Sequence, residues 1–348
     1  MRVFRRGGSA APSLTSYLGD LYFRNPWHDA GIPSLVYDLE GKVAGFIGAL
    51  PFPMRLNGEK ILSAIGGNYM VDPELKNPLA GVRLLKKFFE GRQDLTMTDT
   101  ANETGHKMWE GLGATTLHLF SMQWLRVLRP ARFAVSLVQR RPLLSFLGTL
   151  SRPVGFLVDR VAPLPAQSPF RVTASNLESS ELDTGTLLRA VREFSARLAF
   201  APDYTERSLG WLLEMAGRKK EYGPLYKVAL RGQSGELVGW YMYYPGDGRK
   251  PGQVLQFVAK PAHMDHALAH LFSHACERGS FALVGRLDPH FIREYFVQRC
   301  FLGHLGVHVQ VHSRRPGIVE TLAQGKGFLT RLEGEWWTRL QGDAFNGE

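Results

Sequence analysis

Between Gly66 and Ala114 the apolar residues change their period, and that change fixes the order of elements more tightly than any other stretch of this 348-residue chain. Gly66 to Val71 reads as a strand, Asp72-Pro73 as a turn, Leu79 to about Glu90 as a helix, and Leu95 to Thr100 as a second strand. Then follows Asn102-Glu103-Thr104-Gly105-His106-Lys107-Met108-Trp109-Glu110-Gly111-Leu112-Gly113-Ala114. On the first helix Leu79, Val82, Leu85, Phe88 and Phe89 share a side, with Lys76, Arg83, Lys86 and Lys87 nearby. A helix that opens directly from a strand presents unpaired N–H groups and a partial positive charge, which suits an anion.

This order resembles the acyl-CoA half of the GNAT (Gcn5-related) N-acyltransferase superfamily. Lys76-Asn77-Pro78-Leu79-Ala80-Gly81 stands where the family has its pyrophosphate loop, Gln/Arg-x-x-Gly-x-Gly/Ala, with Leu79 replacing the first glycine. Asn102, Gly105, Met108, Trp109, Gly113 and Ala114 fall at the spacings of the family pattern Asn-x-x-Ala-x-x-Leu-Tyr-x-x-x-Gly-Phe. The resemblance implies a CoA site formed by Val71, Lys76, Ala80, Gly81, Val82, Asn102 and Trp109, with acetyl-CoA or another acyl-CoA as co-substrate and no metal. Asn102 would bond the pantetheine amide, and a backbone N–H near Asn68 and Tyr69 would hold the thioester carbonyl.

Trp109 stands where many members place a tyrosine that protonates the departing thiolate, and an indole N–H does not ionise at neutral pH. Two tyrosines are candidates for that acid. Tyr69 lies on the strand that splays in the family fold, and Tyr295 closes a segment, Asp288 to Tyr295, that repeats the asparagine-to-tyrosine spacing. Attack by an amine also needs a base. Tyr69, Asp99 and Glu103 are nearest the implied acyl site, with Asp99 better suited to capping the next helix.

Composition narrows the partners. The chain is 44% hydrophobic and 21% charged, as a globular protein is, and carries a net charge of +10. No compact Lys/Arg block with interleaved aromatics favours nucleic acid. Two cysteines, Cys276 and Cys300, are too few for a disulfide framework and suit a reducing cytosol. The N-terminus has no apolar core of a signal peptide, and the apolar run Pro142 to Ser151 falls far short of the about 20 residues a membrane span needs. The expectation is a soluble, cytoplasmic protein.

Along the chain, Ile32 to Leu39, Val43 to Leu56 and Ile61 to Val71 read as antiparallel strands, and Thr115 to Leu128 as a closing strand pair. Prolines 130, 142, 153, 163, 165 and 169 mark a linker over 131–169. Its arginines suit short helices packing across two domains, or a face over 131–160 lying on an anionic membrane, the former preferred. From Phe170 the element order starts again: a strand to Ala174, helices at Ser180 to Ala199 and Tyr204 to Lys219, then strands and helices to His312. Pro261 to His266 contains no glycine, so this half lacks a phosphate loop. Eight of eleven histidines fall between His263 and His312; His266, His270 and His274 recur on one helix face and His304, His308 and His312 along a strand, without a recognised ligand set. The segment from Gly327 to Trp337 is apolar enough to dock, and its paired tryptophans suit either packing or the wall of a substrate cleft.

The fold expected is α/β: two tandem GNAT-like domains, each a mixed, mostly antiparallel sheet flanked by helices. Residues 1–130 would bind acyl-CoA, 131–169 would link, and 170–348 would form a degenerate second domain that shapes the acceptor site, a plan similar to N-myristoyltransferase and Fem transferases. The activity implied is acyl transfer from CoA to a primary amine of a small molecule, amino sugar or peptide or cell-envelope precursor. Two rivals stay open: a Fem-like transferase using aminoacyl-tRNA, which the charge permits, and a non-catalytic GNAT-like scaffold, to which Leu79 and Trp109 point.

Overall fold

The computed structural model describes residues 12–72, 74, 79–139, 158–162, 165 and 168–338. The chain forms two compact units, each discontinuous in sequence: unit 1 from Met1–Ser121, Thr184–Arg218 and Gly306–Glu348, unit 2 from Met122–Asp183 and Lys219–Leu305. The expected boundaries at 130 and 170 therefore do not delimit them. Much of the 131–169 stretch, including 140–157, lies outside the described residues.

Unit 1 opens with helix α1 (Pro12–Tyr22), then β1 (Leu35–Leu39), β2 (Lys42–Leu56), β3 (Glu59–Val71), α2 (Ala80–Phe89), β4 (Leu95–Ala101), α3 (Glu103–Gly111) and β5 (Thr115–Thr116). β8 (Phe200–Pro202) and β14 (His308–Ser313) join it from later in the sequence. The sheet order is β1-β2-β3-β4-β14-β5, with β8 on β2. The first three strands form a meander through Glu40-Gly41 and Asn57-Gly58, where φ is 53°, 76°, 50° and 85°, the left-handed pairs that a two-residue hairpin with the sheet's twist requires. β3 and β4 then run parallel, joined by α2.

One face of this sheet is covered by α2 and α3. Leu84, Leu85, Phe88 and Phe89 at helical spacing pack with Ile47, Ala49, Ala64 and Trp109. Each of those four contributes roughly 1.5–3 kcal/mol by leaving water.

Unit 2 contains β6 (Gln123–Val127), β7 (Glu178–Glu181), β9 (Tyr226–Arg231), β10 (Leu237–Tyr244), β11 (Gly252–Ala259), β12 (Ala282–Arg286) and β13 (Phe301–Gly303). Their order is β13-β6-β12-β11-β10-β9-β7. Parallel β11 and β12 are joined by helix Met264–Glu277, which repeats the β3-α2-β4 plan. The core gathers Trp124, Tyr241, Leu271, Phe272, Leu283 and Tyr295.

Three expectations are corrected here. Thr115 to Leu128 is not a strand pair: β6 pairs with β12 and β13, while the place beside β4 is filled by β14. Period-two alternation shows that a strand exists but not which strand it joins. The helices expected after Ser180 and Tyr204 form at Thr184–Ser195 and Glu206–Gly217 but belong to unit 1. Phe170 to Ala174 has no regular secondary structure, and β7 is the strand that follows.

The two histidine rows also part company, since β14 carries His308 and His312 into unit 1. In unit 2, His270 and His274 face the sheet, with Nδ1 2.9 Å from the Tyr241 hydroxyl and 2.7 Å from the Tyr243 hydroxyl. Among the described residues, no group of three or more His, Cys, Asp or Glu is arranged for a metal ion. Burial, seconded by the Arg278 charge, pulls His274 down to about 4, with Tyr226 and Glu277 the other polar neighbours. An imidazole depressed when folded favours the unfolded chain once that chain protonates. The His274 contribution to stability is therefore expected to fall as pH drops from about 6.5 toward 4 and to level off below. Melting temperature followed over that range should show a shallower slope for His274→Asn than for wild type.

Candidate active site

β3 and β4 pair at Ser63↔Leu95, Ala64↔Thr96 and Ile65↔Met97, and the pairing stops there although the strands continue to Val71 and Ala101. β4 stays paired with β14 on its other side as far as Ala101. The result is an opening in the middle of the sheet. Along its β3 wall, Gly48 faces Gly67 and Phe46 faces Met70, so Asn68 and Tyr69 together oppose Ile47 in a bulge. Asn68 takes φ 49° there. A bulge interrupts the ladder and re-aims the side chains around it.

The side chains along this wall alternate between two faces. Gly66 lies against Phe88 of α2, where an added Cβ would stand 2.9 Å from the ring. Gly67 and Asn68 turn to the opposite face, and Tyr69 returns to the α2 side, its hydroxyl donating to Met108 Sδ at 3.1 Å. A Cβ on Gly81 would overlap that hydroxyl, so glycine at the start of α2 is what lets Tyr69 lie across it. Burial pushes the Tyr69 phenol up to about 12.

The helix side carries most of the residues expected to hold CoA. Leu79 is the N-cap of α2, at φ −90° and ψ −4°, and supplies no side-chain hydrogen bond to it. That conformation is open to any residue, and the Leu79 side chain is 53% exposed, so replacing the family glycine imposes no backbone strain. Gly81 is buried beneath Tyr69, Val71 and Val82 are half-buried, and Ala80 is sealed in the core. Lys76 lies outside the described residues. Asn102 caps α3, its side-chain oxygen accepting from Gly105 N at 2.8 Å. The cap expected of Asp99 therefore belongs to Asn102.

Trp109 is corrected from a cofactor contact to a core residue. It is 4% exposed and packs edge-on against Phe89, ring centroids 4.9 Å apart. The α3 residue that reaches Tyr69 is its neighbour Met108. Trp109→Tyr is thus expected to bury a hydroxyl among apolar groups and to cost about 1–3 kcal/mol of stability, read from denaturant unfolding, rather than to restore an acid. Tyr295 is corrected as well. It is enclosed in the core of unit 2, stacked on Trp124 at 5.8 Å, and its phenol is raised by burial.

The opposite face holds residues that sequence reasoning passed over. Tyr22 of α1 lies across Gly48 and Gly67, its hydroxyl accepting from Asn68 Nδ2 at 2.7 Å. Burial and the nearby Glu335 charge keep it protonated. Glu335, 6% exposed, accepts through Oε1 from the hydroxyls of Thr98 and Thr100, the latter at 2.6 Å, while its backbone N–H donates to Asp99 Oδ1 at 2.7 Å. Its Oε2 lies toward Gly67, 3.5 Å from where a Cβ there would stand. The Thr338 carbonyl accepts from Asn68 Nδ2 at 3.4 Å and from Tyr17 at 3.5 Å.

Glu335 is brought there by a buried turn. Glu333 accepts from Tyr204 and from Thr330 N, both at 2.7 Å, Arg331 lies over the Trp336 ring, and Trp337 donates to the Leu332 carbonyl at 3.0 Å. The tryptophans are packing residues, both buried. The signal in the sequence was the acid between them and the strand: a glutamate inside an apolar docking run needs partners, and Thr98 and Thr100 supply them.

No family model matches the chain, and no curated protein matches it in sequence. Solved structures do match in fold. An N-myristoyltransferase of Saccharomyces cerevisiae with bound myristoyl-CoA and inhibitors superposes with a TM-score of 0.54 at 11% identity, over 85% of this chain and 71% of that one. A GCN5-related N-acetyltransferase from Anabaena variabilis gives 0.51 at 11% identity, over 87% and 71%. A probable N-acyltransferase of unknown function from Enterococcus faecalis gives 0.50 at 10%, over 90% and 72%. Two mixed sheets flanked by helices are common ground with these proteins: the chain has the GCN5-related N-acyltransferase fold.

Proposed function

We propose that the protein is an acyl-CoA-dependent N-acyltransferase that works in the β3/β4 opening of unit 1. The observation that carries this reading is the pairing of two features across one gap: the start of α2 on one face and a buried carboxylate, Glu335, on the other. The neighbours in fold include an enzyme solved with myristoyl-CoA and a GCN5-related N-acetyltransferase, which supports CoA as the acyl carrier.

In this reading the first N–H groups of α2, at Ala80, Gly81 and Val82, receive the CoA diphosphate. The pantetheine arm runs past Val71, with the Asn102 side chain offering its NH2 to an amide carbonyl. The thioester lies at the Asn68–Tyr69 bulge, and the amine enters from the Tyr22 face. Glu335 takes a proton from the ammonium, directly or through one water; the freed nitrogen attacks the thioester carbon, the C–S bond breaks, the nitrogen gives its second proton to water as the amide forms, and CoA leaves as thiolate.

Tyr69 stabilises that thiolate by hydrogen bonding. A phenol held at about 12 does not hand its proton to a thiolate whose ordinary pKa is near 8.5. Tyr69→Phe is accordingly expected to lower turnover by only about three- to tenfold, measured as CoA thiol released with a panel of primary amines. A loss of a hundredfold or more would make it a true acid instead. The acyltransferase reading itself is tested by calorimetry with CoA and acetyl-CoA: binding of neither removes it, and binding without turnover on any amine favours a scaffold.

A further inference from the structure

We infer that the acyl group this site accepts is short, of acetyl to about butanoyl length, and that Tyr22 is the residue that limits it. This rests on the acyltransferase reading above. A pantetheine arm that starts at α2 and passes between β3 and β4 must deliver its acyl group to the opposite face, because Gly66 and Tyr69 are packed against the helices. On that face Tyr22 occupies the space over Gly48 and Gly67.

The Tyr22 ring lies so close over Gly48 that a Cβ there would overlap it, and a Cβ on Gly67 would meet the Tyr22 hydroxyl at 3.0 Å, Thr338 Oγ1 at 3.4 Å and Glu335 Oε2 at 3.5 Å. The ring is fixed from two sides, by the 2.7 Å bond from Asn68 and by edge-on contact with Phe46 at 5.7 Å. An added chain therefore cannot slide along the sheet past it. Among the described residues, Asn68, Thr98, Thr100 and Glu335 on this face are buried or half-buried polar groups in a hydrogen-bonded set. A long alkyl chain binds well where each methylene gains an apolar environment, about fourfold in affinity apiece. Here each would displace a hydrogen bond or desolvate a carboxylate, which reverses the sign.

The test is calorimetry of the full chain with CoA, acetyl-CoA, butanoyl-CoA and octanoyl-CoA, on wild type, Tyr22→Ala and Tyr22→Leu. Wild type is expected to hold CoA, acetyl-CoA and butanoyl-CoA within a few-fold of one another and octanoyl-CoA at least tenfold more weakly. In a folded variant, removing the ring should bring octanoyl-CoA back to within a few-fold of CoA. Tyr22→Leu serves where Tyr22→Ala does not fold. Octanoyl-CoA binding to wild type as tightly as CoA or tighter would overturn the inference and leave the acyltransferase reading standing. Variants that stay as selective as wild type would remove Tyr22 as the limit. Failure of CoA itself to bind would overturn both.

Discussion

Glu335→Gln should bind acetyl-CoA within about twofold of wild type and yet transfer its acyl group some 10²–10⁴ times more slowly, the range lost with a general base. Glutamine keeps the shape of the side chain and an oxygen that can accept from Thr98 and Thr100, so the docked turn that carries it should survive. What it cannot do is take a proton. Release of CoA thiol with a panel of primary amines, alongside calorimetry and a melting curve, separates the effects. Turnover within a few-fold of wild type would remove Glu335 as the base and leave Glu103 or solvent to be tried.

Gly81→Glu should weaken CoA binding by at least about a hundredfold, for two separable reasons. A carboxylate at the first turn of α2 meets the diphosphate with like charge. Its Cβ also collides with the Tyr69 hydroxyl and must displace that side chain from Met108. Gly81→Ala isolates the second cause, since it brings the Cβ without the charge. Asp288→Ala, in unit 2, is the control and should leave affinity unchanged. Equal affinity across wild type and Gly81→Glu would move the diphosphate away from α2.

How much of this was readable beforehand depended on how local the cause was. The Asn57-Gly58 hairpin and the helix expected from Leu79 to about Glu90, which forms at Ala80–Phe89, are each determined within a few residues and formed as expected, whereas the cap of the next helix fell to Asn102 rather than to Asp99. Trp109 shows the limit of spacing alone. It fell at the family's tyrosine position, but whether that helix position faces the gap or the core is decided by where Phe89 packs, and it faces the core. Tyr295 failed for a related reason, because its repeat of the Asn-to-Tyr spacing carried no information on burial. Glu335 and Tyr22 were invisible as site residues because they meet β3 and β4 only through long-range docking, hundreds of residues apart in one case, that no period in the sequence reports.

The exchange of β14 and β6 has a bearing on how the chain is made. When a ribosome has released residues up to Ser121, β4 has its α2 crossover but not the neighbour that completes its ladder, because that neighbour is His308–Ser313. The β4 edge, with its unpaired N–H and C=O groups, must wait for nearly two hundred further residues of synthesis, and β6 must wait likewise for β12 and β13. Nascent chains in that state present open strand edges of the kind that invite intermolecular pairing. Such a protein has no stage at which its first half is finished, so it gains little from folding one domain at a time during translation, and its yield in a cell should depend on what shields those edges until the last strand arrives.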